Sequence, residues 1–331
     1  PCPYDGWVFN TEGKLTSKNT EKGFAEGIND DGRLDLVRVP RLEHYRGLYF
    51  VNFNANAISL SDSLAGAKDA IDGICDQSET EMIVLPGEHS YSVKANYKFM
   101  CENSYDGYHV GPVHASYLDY LRDRLEGTEA ASLLDDTLTD YDSTGAAEAL
   151  GNGHALLYSY LPTGRPCAQW LPGMPIEMKV PIEEKYARLV EKFGEERAKF
   201  VGISQKNMVI FPNLVINDGV AATIRYVEPE GHGMMRISAW AFAPAEETPE
   251  MKAMRLDNFI SFLGPAGFGS PDDIEMLEMC QESSTRSPIE WSEMSKGLDT
   301  NPDRRTAKGG PSDEVQMQAY WQQWDLMMRE I

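Results

Sequence analysis

The sequence predicts an α+β fold, a meandering antiparallel sheet with helices flanking it. Three observations predict it. Short β-rich runs separated by turn residues crowd the second half of the chain. Amphipathic helical patterns interrupt or follow those runs and do not alternate with every one of them. No run of 18 or more apolar residues exists, so no segment is patterned to span a membrane. At 331 residues the chain is too long for one small core, which suggests one large domain or two unequal ones.

The elements follow in order. Residues 1–58 read as strand-like. In "RLDLVRVPRLEHYRGLYFVNFN" (33–54) two β-rich runs, "LDLVRVPRL" and "GLYFVNFN", are split by a polar hinge, and Pro40 suits an edge or a break. "SLSDSLAGAKDAIDGIC" reads as an amphipathic helix with Ser or Asp near its start. A domain boundary near residue 58 gives domains 1–58 and 59–331. "HSYSVKANYKFMCENSYDGYHV" (89–110) begins as an alternating strand and ends as a helix. Residues 121–153 are acidic and Gly/Ala-rich, the composition of a mobile surface segment. "HALLYSYLP", "MPIEMKVP", "NMVIFPNLVIND", "AATIRYVEPE" and "GMMRISAWAFAP" read as successive short strands of the meander. Helices are expected over 181–202 and 247–264, and in "SDEVQMQAYWQQWDLMMRE", with Ser312 as its N-cap.

The net charge of −22 argues against nucleic-acid binding, which wants a basic footprint, and fits a soluble cytoplasmic protein. Five scattered cysteines, never spaced CxxC, argue against a disulfide framework and for a reducing compartment. Four of them read as buried small hydrophobes. Cys2 alone has a ligand-like context.

The chemistry concentrates in "ENSYDGYHVGPVHASY". His109 and His114 lie five apart, which on a regular helix turns the rings roughly 140° from each other. Gly111 and Pro112 lie between them, and a kink or bulge there would let both rings meet. The pair reads either as metal ligands or as two core or surface histidines. Asp106, three residues before His109, shares its helical face and can accept the far N–H of a metal-bound imidazole. Two histidines and one carboxylate with open positions form the ligand triad of non-haem Fe(II) oxygenases. The carboxylate must come from elsewhere. "GPAGFGSPDDIEML" offers Asp272 and Asp273 at a helix start, with Ser270 as cap and Pro271 in the first turn. By composition, one of the two is an ordinary helix-start acid stabilised by the dipole.

Together these segments resemble the large (α) subunit of the Rieske-type aromatic-ring-hydroxylating dioxygenases. "CPYDGW" is similar to the family's C-P-Y-H-G-W, the second half of its Rieske ligand set. "ENSYDGYHVGPVH" is similar to its mononuclear-iron motif, and "GPAGFGSPDDIEMLEMCQ" to the segment that supplies the third iron ligand. The resemblance covers nearly the whole chain. It implies a partial antiparallel-β Rieske domain over 1–58 and a helix-grip (START-like) catalytic domain with a curved sheet over 59–331. It implies Fe(II) held by His109, His114 and Asp273, Asp106 as the acid bridging a neighbour's Rieske ligand to the iron site, and Cys2 as a ligand of a 2Fe–2S cluster. Phe262 and Leu263 match positions that face substrate. The family also implies ferredoxin and reductase electron donors, O2 as co-substrate, cis-dihydroxylation of the ring, and a trimer, either α3 or α3β3 with a small β subunit. The E-N-x-x-D-G-Y-H-V and "PDD" forms are closest to the benzoate, toluate, cumate and anthranilate branch, which makes an aromatic carboxylate the expected substrate. Val209 and Phe211 of "NMVIFPNLVI" are candidate pocket walls. Arg225 and Arg255 are candidate partners for the substrate carboxylate, each also readable as a surface side chain.

Two departures matter. A Rieske centre needs two cysteines and two histidines. The first C-x-H pair is absent, as in an N-terminally truncated chain, and Asp5 stands where the second-half histidine belongs. Such a chain is expected to lack the cluster. Two alternatives stay open: a Rieske monooxygenase or demethylase using the same iron, and a metal-free aromatic-binding module. A zinc hydrolase is a distant third, because the histidine spacing is wrong and no glutamate base follows either ring.

Overall fold

The computed structural model describes residues 1–20, 22–162, 167–172, 174–298 and 305–329. The chain divides into two compact units, Pro1–Asp62 and Ser63–Ile331. In the first, β1 (Val8–Phe9) and β2 (Leu15–Ser17) form one antiparallel ribbon, and β3 (Arg41–Tyr45) and β4 (Leu48–Asn52) form another. Arg46 and Gly47 join the second pair, both at positive φ, the two-residue turn whose twist matches its strands. The run "LDLVRVPRL", expected as a strand, is irregular as far as Pro40, and the strand starts only at Arg41. The Asp35 carboxylate accepts the Leu15 N–H and the Asn29 amide, which holds this run as a loop.

The second unit is organised by one antiparallel sheet, nine-stranded among the described residues. β5 (Met82–Val84) and β6 (His89–Val93) come first in the chain. β7 (Gly145–Ala149), β8 (Ala155–Ser159), β9 (Gln205–Ile210), β10 (Leu214–Asp218), β11 (Ala222–Gly231) and β12 (Met234–Pro244) run as a continuous meander, and β13 (Lys308–Gly309) pairs with β7. β12 pairs β11 along one edge and both β5 and β6 along the other. "NMVIFPNLVIND" is thus a hairpin of two strands, turned at Phe211–Asn213.

The helices are α1 (Leu60–Leu64), α2 (Ala67–Cys75), α3 (Tyr97–Asn103), α4 (Val110–Val113), α5 (Ala115–Leu125), α6 (Glu129–Thr139), α7 (Lys179–Phe193), α8 (Glu195–Gly202), α9 (Pro249–Asn258), α10 (Ser270–Arg286) and α11 (Val315–Arg329). Strand alternation sorts the two sheet faces. Leu157, Val209, Val215 and Val227 turn to the face covered by α3, α10 and α11, where Met100, Tyr105, Leu277 and Tyr320 join them in the main core. α2 lies against β8 and β9, and its Gly73 lets the Phe200 ring of α8 approach closely. Gly194, at φ +80°, splits the expected 181–202 helix into α7 and α8. Ala65 at positive φ likewise separates α1 from α2.

Several expectations change. Residues 121–153 hold the end of α5, α6 and β7 and are not a mobile segment. Their few leucines sit at helical spacing, so Leu121, Leu125 and Leu134 close a small core of their own. "MPIEMKVP" is not a strand. It forms a short turn of helix leading into α7, because Met178 and Ile182, four apart, both pack against Met251. Ser312 does not cap α11, which starts at Val315, and Glu330 of the expected helix lies outside the described residues. The Ser312 hydroxyl bonds Asp142. Ser270 begins α10 and donates to the Leu263 carbonyl. None of the five cysteines is in a disulfide, but only Cys101 and Cys167 are buried, while Cys2 and Cys75 are partly buried and Cys280 is exposed. Among the described residues, no helix is long and apolar enough to cross a membrane.

Candidate metal centre

Three segments of the second unit converge beside the sheet. The first is the loop after α3. Tyr105 there is fully buried, and its carbonyl accepts the Gln316 amide of α11, which pins the loop. Asp106 follows. One of its oxygens accepts the Tyr108 N–H at 2.8 Å and the other lies 3.1 Å from His109 Nδ1. The second is the α4–α5 junction. His109 opens α4, four residues long, and His114 sits between α4 and α5 at φ −96°, ψ 25°. That is the sparsely populated bridge region, where chains break helical rotation. The break cancels the angular offset of a five-residue spacing, and the two imidazoles lie with centroids 5.1 Å apart. The third segment is the first turn of α10, where Pro271 takes an early helical position and Asp273 turns inward.

His109 Nε2 lies 3.7 Å and His114 Nε2 3.5 Å from the same Asp273 oxygen. The donor atoms of the three residues all fall within 4.8 Å of one another. Asn103 completes the cluster, its amide 3.1 Å from Asp273 Oδ1 and 3.4 Å from His109 Nε2. Asp272, the other acid of the pair, points away and meets the Ser116 hydroxyl at 3.5 Å. In space the two histidines meet, and Asp273 joins them.

Burial opposes charge on both rings. At His109 the Asp106 hydrogen bond and the Asp273 charge outweigh it, and the pKa rises. At His114 burial wins over the pull of Asp273, and the pKa falls. The His114 Nδ1 atom is buried without a hydrogen-bond partner. Two imidazoles and a carboxylate, converging and largely dry, are a donor set suited to a divalent transition metal such as iron. Asp106, bonded to the far nitrogen of His109, fixes which ring nitrogen points at the centre.

These residues form one end of a cavity of about 120 Å³. Tyr117, Leu118, Leu121, Phe262 and Leu263 give it apolar walls. Ser159, Gln205, Asn207, Asn217 and Arg225, from β8 to β11, give it a polar floor. Of the four proposed wall residues, Phe262 and Leu263 line the cavity. Val209 and Phe211 do not. They share the strand parity of Gln205 and Asn207 but lie further along, and are packed in the main core, with Phe211 against Tyr320. Phe262 and Leu263 belong to a π-helical turn, Phe259–Leu263, that ends the helix begun by α9. Such turns are rare and recur at functional sites.

Neither candidate arginine is at the surface. Arg255 is buried and doubly bonded to Glu247, away from the cavity. Arg225 is buried and lines the cavity. Sequence reasoning missed Asn103 and the asparagine pair of the floor. The floor had a signal: Asn207, Asn217 and Arg225 are polar residues on the strand face that Val209, Val215 and Val227 continue into the core.

Residues 83–330 match the family model described as "Ring hydroxylating alpha subunit (catalytic domain)". The chain belongs to this family. As a ring-hydroxylating α subunit, it is the large oxygenase subunit of an aromatic-ring-hydroxylating dioxygenase, an oxidoreductase. It is 30% identical over 347 residues to the 2-halobenzoate 1,2-dioxygenase large subunit of Burkholderia cepacia, covering 100% of this chain and 71% of that one. It is 29% identical to the toluate 1,2-dioxygenase α subunit of Pseudomonas putida, over 97% of this chain and 71% of that one. Against the anthranilate 1,2-dioxygenase large subunit of Acinetobacter baylyi the identity is 31%, over 89% of this chain and 62% of that one. The fold matches a naphthalene 1,2-dioxygenase solved with indole bound, at a TM-score of 0.81 and 21% identity, covering 98% of this chain and 72% of that one.

Family membership implies mononuclear iron and usually a 2Fe–2S cluster. The His109, His114 and Asp273 set fits the iron. The cluster is different. Cys2 and Asp5 share one turn of the first unit, with the Asp5 N–H 3.4 Å from Cys2 Sγ. A Rieske centre takes two cysteines and two histidines. Among the described residues, only His109, His114 and Asp273 gather as a metal-ligand group, so no such set surrounds Cys2. Asp5 offers a hard carboxylate in place of an imidazole. The described residues do not fit the cluster.

Proposed function

We propose that this subunit cis-dihydroxylates a single-ring aromatic carboxylate at an iron centre held by His109, His114 and Asp273. The observation that carries this reading is the convergence of those three side chains, within 4.8 Å, at the end of a partly apolar cavity. Iron bound there supplies the redox chemistry that brings O2 to the ring. The chain's own residues do the rest. Asp106 holds His109 in one tautomer. Asn103 donates to Asp273 and keeps the carboxylate turned inward. Phe262, Leu263 and Tyr117 press the ring into place and exclude water. An apolar cavity of roughly 150 Å³ holds benzene, and a cavity of about 120 Å³ is on the scale of a single ring. The halobenzoate, toluate and anthranilate enzymes among the relatives support a carboxylate substrate. The proposal includes a ferredoxin and reductase as electron donors, a trimeric assembly of α subunits with or without a small β subunit, and a cytoplasmic setting, which five cysteines outside any disulfide support.

Peroxide-driven turnover tests it, because peroxide supplies both oxygen and electrons. Protein loaded with Fe(II) is given hydrogen peroxide and a panel of benzoates. The expected product is the cis-dihydrodiol, with one iron per chain in the parent. His109→Ala, His114→Ala and Asp273→Ala each lose the iron and the product. Equal products from parent and variants, or none from either, would end the oxygenase reading. A product carrying one oxygen atom in place of two would move the enzyme to the monooxygenase class.

A further inference from the structure

We infer that Arg225 is the receptor for the carboxylate of the aromatic ligand, and that it fixes which edge of the ring faces the His109–His114–Asp273 end of the cavity. The inference rests on the proposed single-ring substrate and adds the residue that selects its charge.

Arg225 is 3% exposed and lines the same cavity as the metal-ligand set. Other buried cations of the fold have a carboxylate partner. Arg255 is held by Glu247, Lys185 by Glu246 and Lys206 by Asp218. Among the described residues, no carboxylate forms an ion pair with Arg225. Its nitrogen partners are neutral: Asn217 Oδ1 accepts from Nε at 3.0 Å and Nη2 at 2.5 Å, and Met100 Sδ lies 3.8 Å from Nη1. A guanidinium has five N–H donors. Asn217 takes two of them, and a thioether is a weak acceptor, so an N–H on each terminal nitrogen is left for a bidentate anion.

The surroundings hold the group in place. The Asn217 amide donates to Asn207 Oδ1 at 2.7 Å, which turns its carbonyl oxygen toward the arginine. Thr223, two residues earlier on the same strand face, has a buried hydroxyl with no hydrogen-bond partner. A buried unpaired cation is costly, and an arriving anion offsets that cost. A neutral ring of the same size gains the apolar contacts but leaves the guanidinium unpaired. The polar floor at Arg225 and the apolar walls at Phe262 and Leu263 suit the two halves of a benzoate.

The test is calorimetric titration of the full chain with benzoate and with benzamide, its neutral counterpart of similar shape, without turnover. In the parent, benzoate is expected to bind about 10- to 100-fold more tightly, the range of a charge-assisted hydrogen-bonded pair. Arg225→Gln should remove that gap by weakening benzoate far more than benzamide, while Arg225→Lys should restore part of it. Benzamide binding as tightly as benzoate in the parent overturns the inference without any variant. So does a gap that survives Arg225→Gln. The two readings fail separately. Loss of peroxide products with the gap intact removes the oxygenase and keeps the receptor. Products from toluene as readily as from benzoate, with no gap, remove the receptor and keep the oxygenase.

Discussion

At the scale of single residues, Asp106 makes the clearest claim on the centre without touching it. One carboxylate oxygen anchors the loop through the Tyr108 N–H, and the other holds His109 Nδ1. Asp106→Asn can keep the first bond and loses the charge behind the second. Partners of this kind are worth roughly 10- to 100-fold in metal affinity, so Asp106→Asn should weaken Fe(II) binding by about that factor with little change in thermal midpoint. Iron titration and a melting curve measure the two effects. Unchanged iron retention would assign Asp106 to the loop alone. The ligand types were legible in the sequence because histidine is scarce here and "PDD" opens a helix. The choice between Asp272 and Asp273 was not legible from spacing, since neighbours in a first turn differ only in which way the helix is rotated. Only the packed position of α10 settles that. Val209 and Phe211 show the same limit: strand parity put them on the cavity face, and distance along the strand put them in the core.

Element by element, the sequence spoke most clearly where a period was long and unbroken. The strands β8 to β12 and the helices α7, α10 and α11 are such cases. It spoke least where two periods compete. Residues 176–182 alternate like a strand, yet the Met178–Ile182 spacing of four decides the outcome once Met251 is there to receive it. The π-helical turn Phe259–Leu263 was also invisible, because the loop after it completes its hydrogen bonding. Phe268 N–H donates to the Ser261 carbonyl at 2.7 Å and Gly269 N–H to the Phe262 carbonyl at 3.0 Å. Gly267 lies inside that bend. A Cβ there would meet the carbonyl oxygens of Ser261, Phe262 and Ile260 at 2.7, 2.8 and 2.9 Å. Backbone cannot move aside cheaply, so Gly267→Ala should cost about 1–3 kcal/mol. It should also displace Phe262 and raise KM for the aromatic substrate more than it lowers kcat. Denaturant melts and steady-state kinetics test both. Stability and KM equal to the parent would show that the turn relaxes freely.

For the whole chain the governing quantity is charge. Acids outnumber bases 52 to 30, so a buried cation here does not lack an acid for want of supply. That makes the isolation of Arg225 a matter of placement, and it makes low pH the condition under which the fold's own ion pairs fail. Glu246 is the group to watch. It follows β12, and its carboxylate gathers Lys185 of α7 at 2.6 Å, the Glu79 N–H at 2.8 Å and the hydroxyls of Ser78 and Thr80. Burial pushes its pKa up, but these donors outweigh burial and bring it from 4.5 down to about 2. A carboxyl whose pKa is lower folded than unfolded adds stability that is fully present above its unfolded value. That stability drains away as the pH falls from about 4.5 toward about 2. Glu246→Gln should therefore melt below the parent at pH 7, and the difference should narrow steadily once the pH drops under about 4.5. Urea midpoints for both proteins across the acid range measure it. A constant difference down to the lowest pH at which both still fold would mean that Glu246 acts through shape alone, and that its charge does not tie α7 to the strand ends.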